Sequence, residues 1–158
     1  MTEVRVRRLD EPSDAELAEL AELFDAYRVH YGEQIDAGAS GHWLAENLAS
    51  GHVSAFLAAV ADKPAGFALT IDIPASLRLG HYWQLRDLFV VPGHRRLGIA
   101  RALLDAIRTG AAAEGALRLA VQTEDDNAAA RLLYESSGFV PVGGYVALIL
   151  PLASDDSG

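Results

Sequence analysis

The sequence predicts a layered α/β or α+β domain built on a mixed sheet. Three observations predict it. Apolar runs of strand length recur between Gly, Pro and Asp punctuation. Separate segments carry apolar residues at helical spacing. The run Leu85 to Val91, mostly apolar, passes through Pro92-Gly93 directly into a helical stripe at Ile99, Leu103, Leu104 and Ile107. That strand–turn–helix join is the signature of a helix packed back onto its own sheet.

The elements follow in order. Val4 to Leu9 alternates and reads as an edge strand. Ser13 or Asp14 caps a helix through Tyr27, with Leu17, Leu20, Ala21, Phe24 and Tyr27 as its stripe. Its aromatic end either packs on the sheet or, through Tyr27 and Tyr31, walls a ligand pocket. A polar loop leads to a short helix from His42 to Ala49, with Trp43, Leu44 and Leu48 assigned to the core. Val53 to Ala61 and Ala65 to Ile73 form a hairpin around Asp62-Lys63-Pro64. The long central strand starts at His81. A helix from Gly98 to Glu114, a strand from Ala116 to Gln122 and a helix from Asp125 or Asp126 to Ser137 come next. Gly138 ends that helix. Phe139-Val140 opens a short strand, Gly143-Gly144 turns, and Tyr145 to Leu150 is the last strand. Residues 1–152 read as a single domain, and 153–158 as a disordered tail.

Composition narrows the function classes. The chain has 158 residues, 51% of them hydrophobic, so it can bury a sizeable core. It has no cysteine, which removes disulfides, thiolate metal sites and cysteine nucleophiles. The histidines at 30, 42, 52, 81 and 94 form no metal-ligand spacing, so no metal is expected. No stretch has the length of a membrane span or an apolar signal core. A cytoplasmic protein is the expectation. The formal net charge of −9 argues against nucleic-acid and anionic-membrane partners and is compatible with cationic ones.

Against that acidic background the basic cluster His94, Arg95, Arg96 and Arg101 stands out. It sits where a helix begins, at the positive end of the helix dipole. Cations are unfavourable there unless an anion joins them. Free N–H groups, Gly98 for close approach and arginines together describe a phosphate or pyrophosphate site. Arg95-Arg96-Leu97-Gly98-Ile99-Ala100 resembles the acyl-CoA signature R/Q-x-x-G-x-G/A of GNAT-type N-acetyltransferases. Many members carry Gly where this chain has Arg96. The stretch Asn127 to Phe139, NAAARLLYESSGF, resembles the same family's N-x-x-A-x-x-L-Y-x-x-x-G-F. The order of elements is also the family's, so the resemblance covers nearly the whole chain. It implies a GNAT-like, mostly antiparallel central sheet flanked by helices and splayed at the central strand.

The resemblance also implies a site. Acetyl-CoA would lie along Leu88, Phe89 and Val90, with its pyrophosphate on the backbone of Arg95, Arg96, Leu97, Gly98, Ile99, Ala100 and Arg101. In the family, the oxyanion donor is a backbone N–H at about Val90. Asn127, Arg131 and Tyr134 share one helix face by spacing. The family's Asn contacts CoA and its Tyr lies near the thioester sulfur, which makes Tyr134 the proton donor to the leaving thiolate. Polyamine acetyltransferases of the family carry Leu-Glu-Asp-Phe-Phe-Val on the central strand; here the stretch is Leu85-Arg86-Asp87-Leu88-Phe89-Val90, with Asp kept and Glu replaced. Asp87 can bind a cationic amine or order a water. Alternatively it is a structural carboxylate paired with Arg86, Arg78 or a backbone N–H. Tyr27, Tyr31 and Trp83 are the aromatic candidates for the walls of an acceptor pocket, and His81 is a candidate base acting through water.

The reading is an N-acetyltransferase that moves an acetyl group from acetyl-CoA to a small cationic primary amine in a ternary complex, with a homodimer as a possible state. The rivals are a peptide or protein N-acetyltransferase and a non-catalytic acyl-CoA binding module.

Overall fold

A computed structural model describes residues 3–153. Its elements are β1 (Val4–Arg8), α1 (Asp14–His30), α2 (Ala37–Ala49), β2 (Ser54–Val60), β3 (Lys63–Ala75), β4 (Gly80–Val90), α3 (Ile99–Ala113), β5 (Leu119–Val121) and α4 (Ala128–Ser136). The five strands form one sheet in sequence order, antiparallel except for the parallel β4–β5 pair. The expected disordered tail lies outside the described residues beyond Ala153.

Both faces of the sheet are covered, which is why β2 and β3 read as nearly continuous apolar runs. Helices α1 and α2 pack on one face, through Leu20, Phe24 and Leu44 against Leu57, Phe67, Leu69 and Phe89. Helix α3 packs on the other, through Ile99, Leu103, Leu104 and Ile107 against Phe56, Ala68, Trp83 and Leu85.

Two features of β4 position the site. Its ladder with β3 pairs Leu69 with Asp87 and Thr70 with Leu85, which leaves Arg86 as an unpaired extra residue. This β-bulge shifts the side-chain alternation by one. Trp83 and Leu85 point to α3 before it, as do Leu88 and Val90 after it, while Phe89 points to α1. Second, the ladder with β5 stops at Leu85↔Val121, whereas β3 accompanies β4 as far as Val90. The sheet is therefore open on the β5 side of Leu88, Phe89 and Val90.

Several expectations need correction. Helix α2 begins at Ala37, capped by Asp36 whose Oδ1 accepts from Ala39 N at 3.0 Å. The cap of α4 is Asn127, not Asp125 or Asp126: its Oδ1 accepts from Ala130 N at 3.1 Å. Phe139-Val140 and Tyr145 to Leu150 join no ladder and are not strands here. The β propensity of that segment is real, but a strand exists only by pairing.

A buried carboxylate ties α1 to α2. Asp25 is 4% exposed. It accepts from Ser40 Oγ at 2.8 Å, from Asp36 N at 3.1 Å and from Arg28 Nη1 at 3.2 Å. The Ser40 hydrogen bond, helped by Asp36 and Arg28, holds its carboxyl below the usual range despite burial. A carboxyl whose pKa is depressed by folding contributes stability above its unfolded pKa, and that contribution is lost as pH falls through the folded value. Asp25→Asn is therefore expected to lower the urea midpoint at neutral pH. The gap to the unaltered protein should narrow as pH drops below about 4. A constant gap across an acid titration would remove the charge of Asp25 as its cause.

Candidate functional site

The residues at the end of α1 and just past the β4 bulge meet in an aromatic-walled cavity of about 660 Å³. Phe24, Tyr27, Trp43, Leu69, Ile71, Arg86 and Asp87 line it. The bulge turns Asp87 toward α1, where Tyr27 donates its hydroxyl to Asp87 Oδ1 at 2.7 Å. Tyr27 is fixed edge-on against Phe67 at 5.5 Å and Phe89 at 5.7 Å. Burial pushes the Asp87 carboxyl up, opposed by the Tyr27 hydrogen bond and by Arg86. Burial and the adjoining carboxylate drive the Tyr27 phenol well above the usual range. Tyr27 therefore stays a donor, and Asp87 is a more basic carboxylate than one in water. Its partner is neither Arg78 nor a backbone N–H, but a phenol.

Tyr31 caps α1, packs edge-on against Tyr27 at 5.1 Å and is 60% exposed. Beyond it lies Tyr134 of α4, half-buried and edge-on to Phe139 at 5.6 Å. Burial, with smaller contributions from Tyr31 and Glu124, pushes the Tyr134 phenol up to about 12. Asp87, Tyr27 and Tyr31 thus form a contiguous run at the end of α1, and the charge effect of Tyr31 reaches Tyr134 on α4.

The third part is the start of α3. Val91 leads into the turn Pro92–His94, and Arg95 Nε donates back to Val90 O at 3.3 Å. Arg96 and Gly98 both take left-handed backbone, at φ 66° and 78°. That conformation explains the glycine usual at the Arg96 position, since any side chain there carries a cost of about 1–2 kcal/mol. No side chain caps α3, and its first turn holds no acid. A Cβ built on Gly98 meets nothing within 4 Å, so the space over the helix start is open. Unpaired amide donors and positive dipole face that space, beside the open edge of β4. These groups fit a pyrophosphate. The side chains of Phe89 and Ile99 are buried in the two core clusters, so only their backbone can face a ligand. Leu97 and Arg96 are exposed.

On α4, Asn127 spends its carbonyl on the cap and turns Nδ2 to Glu124 Oε2 at 3.5 Å. Arg131 donates to Asp125 O at 3.1 Å and faces Glu135 at 3.7 Å. Arg101 donates to Ser136 Oγ at 3.1 Å and so joins α3 to α4.

Trp83 is not a wall of this cavity. It is 2% exposed, on the α3 face, with the Arg8 guanidinium 5.1 Å from its ring centroid. Gly110 makes room for it, since a Cβ there would come within 3.2 Å of the indole. Strict alternation would put Trp83 and Asp87 on one face; the bulge at Arg86 separates them. His81 is turned away as well, with Nδ1 2.7 Å from Asp72 Oδ1 and Nε2 3.1 Å from Glu114 O. The aromatic that replaces Trp83 is Trp43. Assigned to the core from sequence, it is 43% exposed and stacks on Phe24 at 5.4 Å. Among the described residues no group of three or more His, Asp or Glu side chains is arranged to hold a metal, and no helix is long and apolar enough to cross a membrane.

Comparison with known proteins adds to this geometry. The sequence model of the acetyltransferase (GNAT) family matches residues 17–139. The chain is 34% identical over 134 residues to the uncharacterized N-acetyltransferase YhfO of Bacillus subtilis (strain 168), covering 85% of this chain and 89% of that one. The fold matches the crystal structure of a probable acetyltransferase with a TM-score of 0.86 at 29% identity, over 96% of this chain and 99% of the other. An aminoglycoside N-acetyltransferase in complex with CoA is alike in fold, with a TM-score of 0.77 at 19% identity over 96% and 97% of the two chains.

Proposed function

The chain belongs to the acetyltransferase (GNAT) family, and on that premise we propose that it acetylates a small cationic primary amine, using acetyl-CoA, in a ternary complex. The observation that carries the acceptor class is the Asp87–Tyr27 pair set in an aromatic cavity. An aromatic face attracts an ammonium group by about 0.5–2 kcal/mol. A carboxylate adds a charge-assisted hydrogen bond of about 1.5–3 kcal/mol. One solved structure that shares the fold is an aminoglycoside N-acetyltransferase, and aminoglycosides carry several amino groups, which accords with the reading.

Acetyl-CoA supplies the activated acetyl thioester. The start of α3, Arg95 to Arg101, holds its pyrophosphate, and Asn127 and Arg131 flank it. The backbone of Leu88, Phe89 and Val90, left open by β5, borders the thioester. Asp87 binds the ammonium form of the acceptor and, raised in basicity, takes its proton. Tyr27 orients Asp87, and Tyr31 extends the wall. Tyr134 donates to the departing sulfur. The proposal places the enzyme in the cytoplasm and allows a homodimer.

Thiol release from acetyl-CoA, measured against a diamine, an aminoglycoside, an amino acid and a peptide, tests the acceptor class. The di- and polyamines should give the highest kcat/KM. Activity confined to peptide N-termini rejects the small-amine reading. Within the panel, Asp87→Asn should raise KM for a diamine about 10–100-fold, the loss of one charge-assisted hydrogen bond. KM for an equally long amine with an uncharged tail should change far less, and CoA affinity should hold. Equal losses for both amines would assign Asp87 to structure or to proton transfer, and not to recognition of a second charge.

A further inference from the structure

The bulge in β4 has a second effect on the cavity. Consecutive residues of a regular strand point to opposite faces. Alternation onward from Leu85 puts the Arg86 side chain on the α1 face, and alternation back from Leu88 puts Asp87 on that same face. A cation and an anion therefore stand side by side, and both line the aromatic-walled cavity.

No packing or pairing accounts for Arg86. It is exposed, and among the described residues it joins no salt bridge. The other arginine of the wall, Arg28, is engaged, with Nη1 3.2 Å from Asp25 Oδ1. The charge of Arg86 nonetheless reaches the cavity, where it opposes the rise of both the Asp87 carboxyl and the Tyr27 phenol. A free guanidinium beside the carboxylate that is to hold an ammonium repels a bare amine. The repulsion turns to attraction when the same molecule brings a carboxylate. The wall as a whole agrees: Arg28 and Arg86 face Asp72 and Asp87, so the lining has no excess of negative charge for a polycation to neutralise.

We propose that Arg86 is a specificity residue that binds a carboxylate of the acceptor, which makes the acceptor a diamino acid: a primary amine for acetylation, a second amine and a carboxyl group. Asp87 takes the reacting ammonium. Arg86 takes the carboxylate through the two parallel N–H bonds that its planar fork allows. The long arginine stem lets the two groups sit several bonds apart, while the short Asp87 side chain, fixed by Tyr27, sets where the amine reacts. The exposed ring of Trp43 is left for the second ammonium. The inference rests on the amine-acceptor reading above and narrows its diamines to those that bear a carboxylate.

Two matched pairs test it: ornithine against putrescine, and lysine against cadaverine, each pair differing by one carboxylate. With acetyl-CoA, the diamino acid of each pair should show a kcat/KM about 10–100-fold above its diamine, the range of one charge-assisted hydrogen bond. Lysinamide, which lacks the negative charge, should fall to the level of cadaverine. Arg86→Gln should abolish the difference, raising KM for the diamino acid and lowering it for the diamine, which is freed of repulsion. Arg86→Glu should invert the preference. CoA affinity should hold in both variants. Equal kcat/KM within the pairs, or a carboxylate preference that survives Arg86→Gln, would overturn the role of Arg86 and leave the amine reading standing. Turnover of no amine at all would overturn the amine reading. Calorimetric titration of the same pairs into CoA-loaded protein then decides Arg86 by itself: tighter binding of lysine than of cadaverine, lost in Arg86→Gln, supports it, and equal binding rejects it.

Discussion

Gly98→Val weakens CoA binding by on the order of 10²-fold, the equivalent of one or two charge-assisted hydrogen bonds at about 1.5–3 kcal/mol each. The reason is conformational before it is steric. Gly98 stands at φ 78°, and the space above it is empty of protein. A β-branched residue at that φ carries a cost of about 1–3 kcal/mol, so the turn re-forms and the first amides of α3 lose their common direction. Whatever volume the valine keeps intrudes where the pyrophosphate would approach. Gly98→Ala should show the same loss in weaker form. Calorimetric titration of CoA into folded protein is the measurement. Unchanged affinity in folded Gly98→Val would reject the α3 start as the pyrophosphate site.

Tyr134→Phe should lower kcat about 10²-fold, the low end of the range for general acid help, with CoA affinity nearly unchanged. The low end follows from the two acidities. A free thiol has a pKa of about 8.5, and the Tyr134 phenol is pushed up to about 12. Complete transfer of its proton to the thiolate is uphill. In the proposed role Tyr134 supplies a hydrogen bond that strengthens as charge gathers on sulfur. The same shift has a pH consequence: ionisation of Tyr134 should produce no fall in kcat below about pH 11. A full-rate variant, with chemistry shown to limit turnover, would leave Tyr134 as packing against Phe139.

Much of this was legible in the chain because local rules govern it. The capping box at Ser13 and Glu16 starts α1 where the sequence places it. Leu103, Leu104 and Ile107 bury the stripe their spacing describes. The join from β4 to α3 is readable because Pro92, Gly93 and Gly98 punctuate it. What escaped depends on pairing between distant segments. No property of Arg86 announces a bulge; it exists because Leu69 and Thr70 take Asp87 and Leu85 as partners. Trp83 was misassigned for that reason alone. The two C-terminal strands were read from propensity, which says that a segment can pair and is silent on with what. The Asp87–Tyr27 hydrogen bond joins residues sixty positions apart, and neither side chain reveals the other.

The extra residue in β4 also divides the strand's evolutionary labour. N-terminal to Arg86, side chains on the α3 face hold the molecule together, with Trp83 and Leu85 nearly sealed from water. C-terminal to it, the α1 face is handed to Asp87 and the aromatic-walled cavity. If that cavity takes the acceptor as proposed, changes at Asp87 or its wall residues retune acceptor preference while the Trp83 anchorage stays as it is. Removing Arg86 by deletion would fuse the two registers again and return Asp87 to the face of Trp83, against apolar α3. Substitution is therefore the mutational route open to a new substrate range here, and loss of length in β4 is the closed one.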